Sequence, residues 1–156
     1  MANNHLQFSE TLSVTEPTHI KWWEDVLMSE DDPDKPQWAR DVFKECKESV
    51  GEDDADAYYF QADICLQKIW FYAEEGGRPY EIGFVVQAYL KHFDMEEIFT
   101  LNYAEHCSKL RVGEFGGGYI VASKEELINE STFTHCDREV ESILEGRKAR
   151  AEQERE

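Results

Sequence analysis

Basic residues are scarce in this sequence beside its acids. Its 156 residues hold 16 Lys and Arg against 34 Asp and Glu, a formal net charge of −18. Sequence-independent binding to DNA or RNA runs on Lys and Arg neutralising phosphates, so direct nucleic-acid binding is argued against. Anionic membrane surfaces are disfavoured for the same reason. Long apolar runs are missing too, and no stretch approaches the roughly 20 apolar residues of a membrane span. The opening Met-Ala-Asn-Asn-His has neither the basic region nor the apolar run of a secretory leader. A cytoplasmic location is therefore expected. Close cysteine pairs are absent: Cys46, Cys65, Cys107 and Cys136 stand far apart, with no CxxC. Reduced thiols follow as the default.

Apolar residues are plentiful enough for a core, at 41% with 13% aromatic. That content argues against global disorder despite the charge. The length fits one domain, read as 1–145, followed by a charged helical or frayed tail at 146–156. The acid excess is uneven. Residues 1–60 hold 15 acids and 5 bases, whereas 61–110 hold 8 and 4, and 111–156 hold 11 and 7.

Hydrophobic periodicity divides the chain into elements. Residues 6–14 partly alternate and predict a strand. Thr15 to Thr18 reads as a helix start, with Ile20, Trp23 and Leu27 on one face and Trp22 beside them. Trp22 and Trp23 are adjacent, so they point in different directions from a helix. Asp34 is placed to cap a second helix over about 36–49, with Trp38, Val42, Phe43 and Cys46 at helical spacing. The period then shortens. Ile69 and Phe71 alternate with Trp70 and Tyr72, predicting a hairpin of strands at about 57–65 and 68–74. A helix is predicted from Pro79, with Ile82, Val85, Val86, Tyr89, Leu90 and Phe93 on one face. Residues 97–104 and 118–123 predict a second strand pair, and Ser123 to Glu126 matches a capping box that would start a helical turn. From about Asp137 the composition is helical. The order predicts an α+β fold: a mainly antiparallel sheet built from two hairpins and an N-terminal strand, with helices packed on one face.

Two acidic clusters flank the second helix: Glu30, Asp31, Asp32 and Asp34 before it, and Glu52, Asp53, Asp54 and Asp56 after it. They lack the glycine and distal glutamate of an EF-hand. Their plain reading is a solvated acidic face, and their sharper one is an electrostatic docking surface. At 1.5 Å per residue the helix between them spans about 20 Å, enough to set two negative patches apart like a stretch of phosphate backbone.

The run Gly116-Gly117-Gly118, with Glu114 before it, is the one candidate ligand loop. It lacks the GK[ST] ending of a phosphate loop and precedes a strand, so it fails the Walker and Rossmann contexts. Close packing against an aromatic such as Trp70 is the plainer reading. His106-Cys107 and His135-Cys136 are two His-Cys pairs without zinc-site spacing, and buried inert thiols are the expectation. No metal, cofactor or catalytic residue is assigned.

The stretch from Tyr103 through Glu105-His106-Cys107 to Gly118, with Tyr72-Ala73-Glu74-Glu75-Gly76 and Val86-Gln87-Ala88-Tyr89-Leu90 before it, resembles segments of small uncharacterised bacteriophage and mobile-element proteins. The resemblance covers about the central half of the chain and implies an accessory protein, with no activity attached. Three functions stand together. One is a non-enzymatic acidic interaction module, in its sharpest form a DNA mimic that blocks a basic or nucleic-acid-binding protein. Another is a small-ligand binder or enzyme built on the glycine loop. The last is a structural homodimer that buries an exposed Trp.

Overall fold

The computed structural model describes residues 4–28, 32–52, 55 and 57–155. Six strands form one antiparallel sheet: β1 (Asn4–Ser13), β2 (Gln61–Cys65), β3 (Lys68–Ala73), β4 (Phe99–Cys107), β5 (Gly116–Ala122) and β6 (Leu127–Ser131). The spatial order is β2-β3-β1-β4-β5-β6. Four helices accompany it: α1 (Pro17–Leu27), α2 (Gln37–Val50), α3 (Pro79–His92) and α4 (Thr132–Glu154). The α+β class and the antiparallel sheet follow the expectation.

Strand β1 is the seam of the sheet. Its residues Asn4 to Gln7 pair with Ala104 to Cys107 of β4, while Phe8 to Ser13 pair with Lys68 to Ala73 of β3. Cross-strand partners share a face. Phe8, Leu12, Ile69, Phe71, Ala73, Phe99, Leu101, Ile120 and Ala122 therefore point to one side, and all are buried. Helices α1 to α3 supply the rest of that core through Trp22, Trp23, Val26, Ala39, Ile82, Val85, Val86, Tyr89 and Leu90. Each large apolar side chain taken fully from water contributes about 1.5–3 kcal/mol. The intervening residues Ser9, Thr11, Trp70, Thr100, Asn102 and Tyr119 stay exposed on the opposite side. At Gly83, α3 lies close to β5: a Cβ there would sit 2.5 Å from Ile120 Cγ2.

Four local expectations need correction. Asp34 does not cap α2. Pro36 occupies the cap position with no side-chain bond, and Asp34 turns its own N–H to Asp32 Oδ1 at 2.9 Å. Residues 57–60 are not strand, because Tyr59 N–H is drawn to Glu81 Oε1 at 3.0 Å instead of to a ladder. Ser123 to Glu126 forms no helical turn. Ser123 Oγ accepts from the N–H groups of Glu125 and Glu126, and Ser123 N–H donates to Glu126 O. That compact turn reverses the chain into β6, a strand the periodicity did not reveal. Finally, α4 begins at Thr132, capped by Ser131 Oγ accepting from Thr134 N–H, five residues before the expected start.

A buried ion pair ties the helices to the loop before the first hairpin. Lys47 Nζ and Glu81 Oε1 are 2.8 Å apart, with side chains 4% and 0% exposed. Glu81 also accepts from Tyr59 N–H and from Arg78 at 2.9 Å. Its oxygens are thus met by three donors, the condition under which a buried carboxylate is tolerated.

Candidate functional site

The side of β3 turned away from the helices carries the most conspicuous surface feature. Trp70 and Tyr72 are two residues apart on one strand, so both project from the same face. Their rings stack at 4.1 Å with 26° between planes. Trp70 Nε1 donates to Ser9 Oγ at 3.0 Å across the β1–β3 pairing. Trp70 keeps 37% of its surface exposed. Burial and nearby Asp63 raise the Tyr72 hydroxyl pKa, so it stays protonated.

Three depressions adjoin around the end of this strand. One, of about 410 Å³, holds Trp70, Tyr72 and Glu74. A second, of about 680 Å³, shares Tyr72 and Glu74 and adds Tyr59 and Glu75. The third, of about 430 Å³, shares Tyr59 and Glu75 and continues to His5, His106, Glu105 and Glu114, with Phe133 on its wall. Together they form a groove floored by aromatic rings and edged by Glu74, Glu75, Glu105 and Glu114. No Lys or Arg lines any of the three. Arg78 lies 5.8 Å from the Tyr59 ring centroid, but Glu81 and Glu52 hold its guanidinium.

Local structure explains the chemistry of the third depression. His5 and His106 face each other across the β1–β4 register and stack at 5.1 Å. Gln7 Oε1 lies 3.1 Å from His106 Nε2 and holds that ring in place. Glu114 sits in the turn before β5, after Gly113, whose φ of +79° suits a residue without a side chain. Its Oε2 is shielded from solvent and has no hydrogen-bond partner among the described residues. A shielded carboxylate oxygen without a donor is costly, and an incoming N–H group would relieve that cost.

The glycine run lies inside β5. A Cβ at Gly117 would stand 2.5 Å from the carbonyl oxygen of Tyr103, and one at Gly118 would stand 2.3 Å from that of Glu130. A Cβ at Gly116 would meet Phe133 and Thr132 at under 3.0 Å. These three glycines let β5 pack closely against its neighbours, and the aromatic over Gly118 is Tyr103 instead of Trp70. Of the candidate ligand loop, Glu114 alone reaches the groove.

Of the two acidic clusters, Glu30, Asp31, Asp53, Asp54 and Asp56 lie outside the described residues. Asp32 is half-buried and shapes its turn, with its carbonyl oxygen accepting from Arg40. Asp34 is exposed. Glu52 is exposed but shares Arg78 at 3.2 Å.

The four tryptophans divide evenly. Trp22 and Trp23 are both buried, because α1 is flanked by core on both of the directions they take. Trp38 and Trp70 remain about one-third exposed, at 36% and 37%. Trp38 stacks on Trp22 at 5.6 Å and on His92 at 5.8 Å, and those two rings are themselves 6.2 Å apart, so the three form a cluster.

The thiols differ in exposure, and the expectation of burial holds for Cys46 and Cys107 but not for Cys65, which is half-buried, or Cys136. Burial, aided by Glu81, pushes the Cys46 thiol up to about 12, so it stays protonated at neutral pH. Cys107 is buried and Cys136 is exposed on α4. Among the described residues, no group of three or more His, Cys, Asp or Glu side chains is placed to hold a metal ion. None of the described helices is long and apolar enough to cross a membrane.

No family model, curated protein or solved structure matches the chain.

Proposed function

We propose that the protein is a non-enzymatic interaction module that receives an Arg- or Lys-rich segment of a basic partner in the groove between Trp70 and Glu114. The observation that carries this reading is the composition of the groove: exposed stacked aromatics and four carboxylates, with no Lys or Arg among the residues lining the three depressions. The unpartnered Glu114 oxygen supports it further. Aromatic faces attract guanidinium and ammonium groups by about 0.5–2 kcal/mol, and carboxylates add charge-assisted hydrogen bonds. The net charge of −18 would steer a basic partner toward the surface from a distance. A partner that normally holds nucleic acid meets the same chemical demand, which keeps the DNA-mimic form of this function in view. A phage or mobile-element setting rests on the sequence resemblance alone.

Affinity capture from a bacterial lysate tests the reading with two variants. The groove variant is Glu75→Gln/Glu105→Gln/Glu114→Gln, and the loop variant is Asp32→Asn/Asp34→Asn. A basic partner retained at low salt, released at high salt and lost in the groove variant supports the groove. Loss in the loop variant alone transfers the function to the acidic loops. A partner indifferent to salt contradicts both.

A further inference from the structure

Helix α4 has no share in the domain's core. Its 23 residues span about 35 Å at 1.5 Å per residue. Its contacts with the sheet are to β5 and β6, around its capped N-terminus. None of its described residues is buried. Yet Val140, Ile143 and Leu144 form an apolar stripe at helical spacing, each more than half exposed at 53%, 54% and 54%. Cys136 extends that stripe one turn toward the N-terminus, also exposed. Helices in proteins owe most of their stability to packing such a face, and this face is unpacked.

The charges along α4 identify what fits it. From Thr132 to Glu145 the helix carries Asp137, Glu139, Glu141 and Glu145 against the single base Arg138. The next turns reverse sign, with Arg147, Lys148 and Arg150 and no acid from Gly146 to Ala151. In a chain so short of bases, this block is the densest basic segment, and it directly follows the apolar stripe.

We propose that α4 is a self-association element that pairs antiparallel with α4 of a second copy of the chain. With the two-fold axis between Ile143 and Leu144, these two residues face each other across the pair. Val140 then lies opposite Arg147, whose aliphatic stem can cover it. On one flank Glu139 lies across from Arg150, and on the other Asp137 and Glu141 lie across from Lys148. Arg147, Lys148 and Arg150 of one helix thus meet the acidic half of the other, Lys148 and Arg150 at the flanking positions that set orientation in coiled coils. A parallel pair would instead set acid against acid and base against base. The centre of the seam at Ile143 and Leu144 lies about 16 Å along α4 from Phe133, the α4 residue on the groove wall, so substitutions there leave the groove's own residues in place and self-association can be tested apart from partner binding.

Sedimentation equilibrium of the full chain tests this. The expected result is a concentration-dependent dimer of twice the 18.2 kDa chain. Ile143→Glu/Leu144→Glu should raise its dissociation constant by about a hundredfold or more. Circular dichroism should report an intact fold, since neither side chain belongs to the core. A chain that stays monomeric at high micromolar concentration, or a dimer undiminished in the variant, overturns the proposal. Orientation is read from disulfides formed with oxidised glutathione. In the antiparallel pair the two Cys136 residues are about 22 Å apart, beyond disulfide reach. Ala151→Cys should bring a new thiol opposite Cys136 of the second copy and give a covalent dimer that Cys136→Ser abolishes. A covalent dimer linked Cys136 to Cys136 in the parent chain contradicts the antiparallel pairing.

Discussion

At the scale of single residues, burial decides which polar groups act and which are fixed. Lys47 and Glu81 are paired at 2.8 Å inside the protein. Glu81→Ala leaves the Lys47 ammonium buried and unpaired and strips Tyr59 N–H of its acceptor. Losing one partner of a buried pair costs about 3–5 kcal/mol, so a matching fall in urea-unfolding free energy is expected. Burial also holds Cys46 and Tyr89 protonated, each pushed up to about 12 from ordinary values of 9.0 and 10.0. On unfolding, both groups release protons more readily. Their contribution to stability is therefore complete below the ordinary thiol value and is lost as pH climbs from about 9 to about 12. A urea midpoint that falls through that window is expected, with a shallower fall in Tyr89→Phe. A flat midpoint would remove these two groups from the account. By contrast, Trp70 lies on an exposed face. Trp70→Ala should lose the stack on Tyr72 and the bond to Ser9, a cost of about 1 kcal/mol that is well short of Glu81→Ala, while weakening capture of a basic partner about tenfold.

At the scale of elements, close approach explains the glycines better than ligand binding does. Gly118→Ala would push a methyl group against the Glu130 carbonyl and the Tyr103 hydroxyl. Overpacking of this kind costs about 1–3 kcal/mol, so a lowered melting temperature is expected from thermal unfolding. The nearby Gly113→Ala has open space around it and only a strained φ to bear, so its cost should be smaller. Periodicity in the sequence was enough to find α1, α2, α3 and five of the strands. It also showed that Trp70 and Tyr72 lie on the side of β3 opposite Ile69 and Phe71. It is the packing of α1 to α3 against the Ile69 and Phe71 side that leaves Trp70 partly exposed, and alternation alone did not distinguish the two sides. Strand β6 escaped notice because Leu127 to Ser131 alternates weakly and follows a capping-box pattern. Ser123 satisfies that pattern with a reverse turn instead of a helix. The groove was not legible at all: β1 joins Glu105 and His106 to His5, while the loops bring Glu75 and Glu114 alongside, and no local spacing encodes that meeting.

At the scale of the whole molecule, the acidity gains a location. Net charge alone describes a repulsive, well-solvated chain. The fold leaves uncovered a sheet face with stacked aromatics and, beside it, a groove whose edges are carboxylates. The acidic clusters that flank α2 in the sequence add to the net charge and so to the long-range field, although Glu52 is partly neutralised by Arg78. The groove adds the short-range contacts that a diffuse field lacks. Calorimetric titration with an arginine-rich peptide, at several salt concentrations, tests this division most directly. The expected result is binding that weakens steeply with salt and is lost in Glu75→Gln/Glu105→Gln/Glu114→Gln, yet survives Asp32→Asn/Asp34→Asn. Binding that the groove variant retains undiminished would contradict the groove as the site.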